Sequence, residues 1–284
     1  MKCYLCEHKS FTTRPGVVRD NPCVKVIECD ACGLVTLDSF SQISDRHYEE
    51  GKMHAEETSI RTWTQVAEID DQRRFEFFKN KIAGKNILDF GCGNGGFLLK
   101  TKAFTNKSEG VELEERLQPY FEEIELKVWR SLEDAKQNKT VNYDLITAFH
   151  VFEHLSEPID VLLELSKLLS EGGEIIIEVP SSDDALLTLY KSSAFSNFTY
   201  WSQHLFLFNS HTMRDMVNKS GLKLNWVKQI QRYSLSNHLY WLSKGQPGGH
   251  KTWAFLTDPQ LDLAYGQQLA SVGKCDTILA SVSV

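Results

Sequence analysis

Short apolar runs bounded by turn residues alternate along the chain with stretches whose apolar residues recur three or four apart. Between residues 86 and 149 the runs are Ile87-Leu88, Gly110-Val111 and Leu145-Ile146-Thr147-Ala148-Phe149. Runs of that length read as buried strands and the stretches between them as helices. The pattern predicts a strand at 86–90, a helix at 95–103, a strand at 108–112, a helix at 114–123, a short strand at 126–129 and a strand at 143–149. Upstream, Ile60, Trp63, Ala67, Phe77 and Phe78 predict a helix that Gly84 ends. Downstream, Pro158 suits a first helical position, and Ile159, Leu162, Leu163, Ser166 and Leu169 share a face before Gly172. A fifth strand follows at 174–179, then an N-cap at Ser210 for a helix closed by Gly221, and a sixth strand at 222–228. A helix beginning near Asp258-Pro259 precedes an alternating run, Thr277 to Val284, that suits a seventh strand. Such alternation implies an α/β, doubly wound, largely parallel sheet that binds ligands beyond the carboxyl ends of its strands.

Candidate chemistry first enters after the strand at 86–90, in Asp89-Phe90-Gly91-Cys92-Gly93-Asn94-Gly95. Glycines at 91, 93 and 95 let the backbone turn left-handed and let a ligand approach without meeting a β-carbon, while Asp89 can orient it. The spacing, with an acid two residues before the first glycine, resembles motif I of the class I S-adenosylmethionine (SAM) dependent methyltransferases. Glu112, 23 residues after Asp89, stands where an acid accepts ribose hydroxyls in doubly wound folds. The strand 144–149 and the Glu171-Gly172-Gly173-Glu174 approach to the fifth strand follow in the same order. The resemblance implies a Rossmann-like seven-stranded sheet whose last strand pairs with the sixth. It also implies SAM held by Asp89, Gly91, Cys92, Gly93, Gly95 and Glu112, with Leu113, Leu132, Phe149 and His150 completing the site.

The seven cysteines are unevenly placed. Cys3-x-x-Cys6 and Cys29-x-x-Cys32 form two knuckles that can converge four thiolates on one tetrahedral zinc ion, a closed and therefore structural site. Val24 to Glu28 and Leu34 to Leu37 read as strands of a small ribbon around the second knuckle. Cys23, Cys92 and Cys275 read as small packed residues. The expected organisation is a zinc-ribbon-like module at 1–40, a linker and helix at 41–83, and the SAM-binding domain at 84–284. Acceptor-side insertions are expected at about 181–208 and 229–275, and His47, Tyr48 and His54 as a lid over the cofactor.

Composition narrows the partners. A chain of 284 residues, 42% hydrophobic, can bury one sizeable core plus a small module. With no apolar run of about 18 residues and a polar start, Met1-Lys2-Cys3-Tyr4, it reads as a cytoplasmic protein with no membrane span. A formal net charge of −7 disfavours nucleic acid as partner. No feature fixes an oligomeric state.

Two groups of residues can serve catalysis. His150, Glu153 and His154 have the i, i+3, i+4 spacing of one helical face, and His204 follows the fifth strand, where it can act as general base. Glu153-His154 with a later histidine resembles the metal-ligand pattern of the small-RNA 2′-O-methyltransferases and, more loosely, of the ubiquinone-pathway O-methyltransferases; His150 stands where those families place another acid. The four-cysteine module, the core and the later histidine together resemble bacterial methyltransferases that modify sugars or surface-polysaccharide precursors, including zinc-bearing sugar C-methyltransferases. The further large C-terminal domain of those C-methyltransferases has no counterpart here, so the resemblance implies O-methylation of a carbohydrate or other small-molecule acceptor. Two rival readings are a zinc-containing RNA methyltransferase and a non-catalytic SAM-binding scaffold or partner subunit. The negative charge opposes the first, and the intact Asp89, Gly91, Gly93 and Glu112 oppose the second.

Overall fold

The computed structural model describes residues 1–41, 59–138 and 140–284. The expected lid residues His47, Tyr48 and His54 lie outside the described residues. The described strands are β1 (Phe11–Thr13), β2 (Val26–Cys29), β3 (Val35–Leu37), β4 (Asn86–Phe90), β5 (Lys107–Val111), β6 (Lys127–Trp129), β7 (Tyr143–Phe149), β8 (Leu169–Pro180), β9 (Phe206–Leu207), β10 (Lys223–Ile230) and β11 (Thr277–Ser283). Seven of them form one sheet in the order β10-β11-β8-β7-β4-β5-β6, with β4 parallel to both β5 and β7 and β5 parallel to β6. The expected doubly wound, seven-stranded α/β architecture is therefore present, with β11 beside β10.

The chain divides into two compact units. One comprises residues 43–151, 160–177 and 281–284. Its helix Ile60–Ile82 starts where Ser59 accepts the Thr62 N–H, and it buries Phe78 and Ile82. Phe149 at the end of β7 packs edge-on against Phe97, 5.1 Å between centroids. The predicted helix at 95–103 runs from Gly96 to Thr101, and that at 114–123 is a 3₁₀ turn, Glu115–Leu117, continued by Gln118–Glu123. The helix that starts at Pro158 stops at Ser166, not at Gly172. There Leu168 N–H turns back onto Leu165 O and Leu168 O accepts from Tyr143 N, so Leu169 enters the sheet as the first residue of β8.

The other unit comprises residues 1–42, 152–159 and 178–280. Its small antiparallel sheet has the order β1-β2-β3-β9, with Val26 opposite Leu37 and Val35 opposite Leu207. The aromatic segment 181–208 thus supplies a strand to the cysteine-bearing ribbon, while Tyr200, Phe206 and Phe208 are buried within the unit. Helix Ser210–Ser220 is capped by Asn209, one residue before the expected Ser210: the Asn209 carboxamide accepts from His211 N and Thr212 N, and Thr212 closes a capping box. Gly221 ends that helix in the left-handed region, as expected. Residues 229–275 carry the helices Leu235–Lys244, Gly249–Thr252 and Pro259–Ser271, the last capped by Asp258. No described helix is long and apolar enough to cross a membrane.

Candidate functional site

The glycine turn follows β4 with Gly91, Gly93 and Gly95 at φ of +70°, +54° and +74°. A β-carbon on Gly91 would stand 2.5 Å from Val151 Cγ2, so neither the backbone angle nor the space admits a side chain there. Gly93 N donates to Glu112 Oε2 at 2.8 Å and Glu114 N donates to Glu112 Oε1 at 3.0 Å. One carboxylate at the end of β5 therefore pins the turn of the neighbouring strand. With about four lone-pair sites on a carboxylate, Glu112 keeps acceptor capacity for ligand hydroxyls.

Asp89 is buried and accepts from Thr147 Oγ1 at 2.6 Å. Burial pushes its carboxyl up to about 7, against the pull of the Thr147 hydroxyl and of Arg74. Burial likewise raises Glu112. Cys92 is buried with its thiol well above the ordinary range, which suits a packed residue rather than a nucleophile. Leu113 and Leu132 are half-buried and Phe149 is buried; His150 follows β7 in the left-handed region, φ +57°. Apart from Leu132, which begins the helix after β6, all these positions lie at the carboxyl ends of β4, β5 and β7, the edge at which doubly wound sheets take ligands. The residues fit SAM: an acid at the end of β5 with acceptor capacity for ribose hydroxyls, a left-handed turn whose glycines present bare backbone, and the buried Asp89 carboxyl beside it.

Three neighbours of the turn carry no motif in the sequence. Asn94 accepts from Gly96 N at 3.0 Å and donates to Thr64 Oγ1 at 3.4 Å. Trp63 lies against Gly93, and the Arg74 guanidinium sits 4.5 Å from the centre of the Phe149 ring and 3.5 Å from Asp71. Thr64, Arg61, Gln65 and Ile60 of the same helix line a cavity of about 570 Å³ together with Arg116 and Tyr120.

In the other unit the four predicted thiols converge. Cys3 Sγ is 3.5 Å from Cys32 Sγ and Cys6 Sγ 3.5 Å from Cys29 Sγ, and all four sulfurs lie within 4.8 Å of one another. Knuckle-like turns close both pairs, Glu7 N donating to Cys3 O and Gly33 N to Cys29 O at 2.9 Å each. The spacing and donor set fit a tetrahedral zinc ion.

Glu153, His154 and His204 also come together, their candidate ligand atoms all within 4.8 Å of one another. The expected helical face shared with His150 is corrected: Phe152–His154 is a 3₁₀ turn, and the left-handed backbone of His150 keeps it out of that turn. His154 Nδ1 lies 2.9 Å from Gln203 O, and because a carbonyl only accepts, Nδ1 carries the proton and leaves Nε2 as the basic nitrogen. The rings of His154 and His204 stand edge to face at 4.9 Å. His204 sits on a tight turn, His204 N donating to Trp201 O, that the N-terminal segment braces. Asp20 accepts from both Ser202 N and Ser202 Oγ, at 2.9 and 2.7 Å, and the Arg19 guanidinium stands over Trp201 at 4.9 Å. Thr36 Oγ1 donates to Leu205 O at 2.8 Å. Neither Asp20 nor Thr36 has a sequence signal for this role.

A seven-stranded doubly wound sheet, with a left-handed glycine turn after β4 and an acid at the end of β5, defines a class I SAM-dependent methyltransferase domain. A family model described as a methyltransferase domain matches residues 62–225, more than half of the chain, and the protein belongs to that family. It is similar to the ubiquinone biosynthesis O-methyltransferase of Nitrosococcus oceani, 29% identical over 134 residues, 42% of this chain and 57% of that protein. It is also similar to the tRNA U34 carboxymethyltransferase of Helicobacter acinonychis, 26% identical over 132 residues, 42% of this chain and 50% of that protein. The chain thus matches 57% and 50% of the length of these two relatives. A SAM dependent methyltransferase from Archaeoglobus fulgidus superposes with a TM-score of 0.50 at 19% identity, over 79% of this chain and 96% of that one, a likeness of fold.

Proposed function

We propose that the protein transfers a methyl group from SAM to a hydroxyl oxygen of a small-molecule acceptor, a sugar or surface-polysaccharide precursor. The observation that carries this reading is the cluster of buried Glu153 and His154 with half-buried His204, His154 being fixed by Gln203 O in the tautomer that leaves Nε2 basic. Bound SAM supplies an activated methyl on a sulfonium. Glu112 accepts the ribose hydroxyls, the glycine turn gives the cofactor backbone contact, and Asp89 offsets its positive charge. On the acceptor side His204 takes the hydroxyl proton as general base, and Glu153 and His154 hold the acceptor. Gln203 Oε1 is buried with no hydrogen-bond partner among the described residues, a place that a donor such as an acceptor hydroxyl would satisfy. The name of the Nitrosococcus relative, an O-methyltransferase, supports transfer to oxygen. A zinc ion on the four cysteines would be structural, since four thiolates leave no open position.

A second reading rests on the same cluster. One carboxylate and two imidazoles, one of them oriented by a carbonyl, also make a donor set for a divalent cation. The test of both is a screen for SAM-dependent mass gain against nucleotide-sugars, glycans, a catechol and transfer RNA, with and without EDTA. One added methyl on a hydroxyl-bearing small molecule is expected, and gain on transfer RNA alone would overturn the acceptor assignment. Turnover abolished by EDTA and restored by magnesium or manganese favours the cation; turnover indifferent to EDTA excludes it.

A further inference from the structure

The helix Ile60–Ile82 lays its first turns on the glycine turn. A β-carbon on Gly93 would stand 3.0 Å from Trp63 Cζ2, 3.5 Å from Cη2 and 3.9 Å from Cε2, so the six-membered part of the indole lies where a side chain on the middle glycine would stand. The next residue, Thr64, receives a hydrogen bond from Asn94 at 3.4 Å, which ties the helix to the turn at that point. Gly93 N is in turn 2.8 Å from Glu112 Oε2. Indole, glycine turn and carboxylate are thus consecutive neighbours.

We propose that Trp63 recognises the sulfonium of SAM through the face of its indole and sets the preference for SAM over its demethylated product. The inference rests on the reading of Glu112 as the ribose acceptor. In SAM the sulfonium sulfur is bonded to the exocyclic carbon of the ribose, so a ribose held by Glu112 brings the sulfonium over the turn that Gly93 and Trp63 form. A cation within about 6 Å of an indole centroid is attracted by the ring quadrupole, and tryptophan is the strongest of the aromatic side chains in this respect. S-adenosylhomocysteine carries a neutral thioether at the same atom and gains nothing from it. Trp63 therefore acts on the charge that distinguishes substrate from product, favouring release of the product after transfer. Asp89 cannot do this alone, because burial pushes its carboxyl up to about 7, which leaves it partly protonated near neutral pH.

The experiment is calorimetric titration of the full chain with SAM and, separately, with S-adenosylhomocysteine, for the native protein, Trp63→Leu and Trp63→Phe. Removing a cation–π contact of about 0.5 to 2 kcal/mol is equivalent to a loss of about 2- to 30-fold. Trp63→Leu should weaken SAM by that factor while changing S-adenosylhomocysteine less than about twofold, and Trp63→Phe should fall between. Thermal melts of both variants check that the helix still folds, and the phenylalanine variant keeps an aromatic on the glycine. Equal loss for the two ligands, or none for either, overturns the role of Trp63 and leaves the SAM site standing. Failure of the native protein to bind either ligand overturns both.

Discussion

The four cysteines offer the most direct test, through Cys29→Ser. A tetrahedral ion with Zn–S bonds of about 2.3 Å has sulfur–sulfur edges of about 3.8 Å. Two edges here are 3.5 Å and no pair exceeds 4.8 Å, so an ion would complete the site by drawing the wider pairs in by about an ångström. Structural zinc contributes about 10 to 16 kcal/mol to the folding of isolated zinc-finger peptides. If losing one of four thiolates forfeits only a quarter of that, about 2.5 to 4 kcal/mol, the melting temperature of a domain of this size falls by about 5 to 15 °C. The damage should not stay in the ribbon. Tyr4, between the first two cysteines, packs its ring 5.2 Å from Phe206, and its hydroxyl accepts from Ile159 N at 3.1 Å. β3 holds β9 through Val35 opposite Leu207, and Leu37 N donates to Leu205 O at 3.2 Å. Cys29→Ser should therefore lose zinc by atomic emission, melt earlier by calorimetry and expose the 200–208 segment to limited proteolysis, whereas Cys23→Ser, outside the cluster, changes none of these. Native protein prepared without chelators and containing no zinc would refute the reasoning, as would a Cys29→Ser protein that keeps its metal.

Glu112→Ala should weaken SAM binding by about 1.5 to 3 kcal/mol, the value of a hydrogen bond to a charged group, and Gly93→Val should do worse because its side chain meets the Trp63 ring at a left-handed φ; unchanged calorimetric affinity in both would refute the pocket. His204→Ala should lower turnover by about 10² to 10⁴ fold with SAM affinity nearly intact, and near-normal turnover with the true acceptor would make that histidine structural. Burial and then the charge of Asp276 push buried Asp184 up to about 8, so between the ordinary carboxylate range and pH 8 the folded state keeps a proton that the unfolded chain has lost. Stability therefore falls as pH rises through that window; Asp184→Asn, which keeps an acceptor for Leu186 N, should flatten the fall, and an equal drop in unfolding free energy from pH 5 to pH 8 in the native and Asp184→Asn proteins, measured by urea unfolding, would refute the linkage.

What the sequence made legible and what it did not follow from the range over which each signal acts. The strand at 86–90 and the turn after it are written locally: an apolar run fixes Ile87 and Leu88 in the core, and glycine is the residue that takes the left-handed backbone at 91, 93 and 95 without strain. The four cysteines are legible for a different reason, because a metal's donor number and spacing are chemical constants that survive any ignorance of the fold. Both signals fail at boundaries. Ser210 and Asn209 are each competent caps, and only the geometry of the Thr212 capping box selects Asn209. Leu169 fits the apolar face of the preceding helix, yet the Tyr143 hydrogen bond to Leu168 O, 25 residues away in sequence, takes it into the sheet.

The acceptor-side cluster shows the same limit in its most consequential form. Residue types were enough to single out Glu153, His154 and His204, but the spacing that grouped His150 with the first two presupposed a helical turn. The left-handed backbone at His150 and the 3₁₀ turn after it break that period, and the partner that joins Glu153 and His154 is instead His204, 50 residues on from His154. No periodicity carries information over such a separation. It is supplied by β9 pairing with β3, by Thr36 on Leu205 and by Asp20 on Ser202, all from the cysteine-bearing segment. The ribbon looks in the sequence like an appendage to the methyltransferase core, because its cysteines explain themselves. In the fold its strands and loop hold the turn that carries His204, so a zinc ion on the four cysteines, though it would have no open position, would still govern the proposed catalytic histidine by keeping that turn in place.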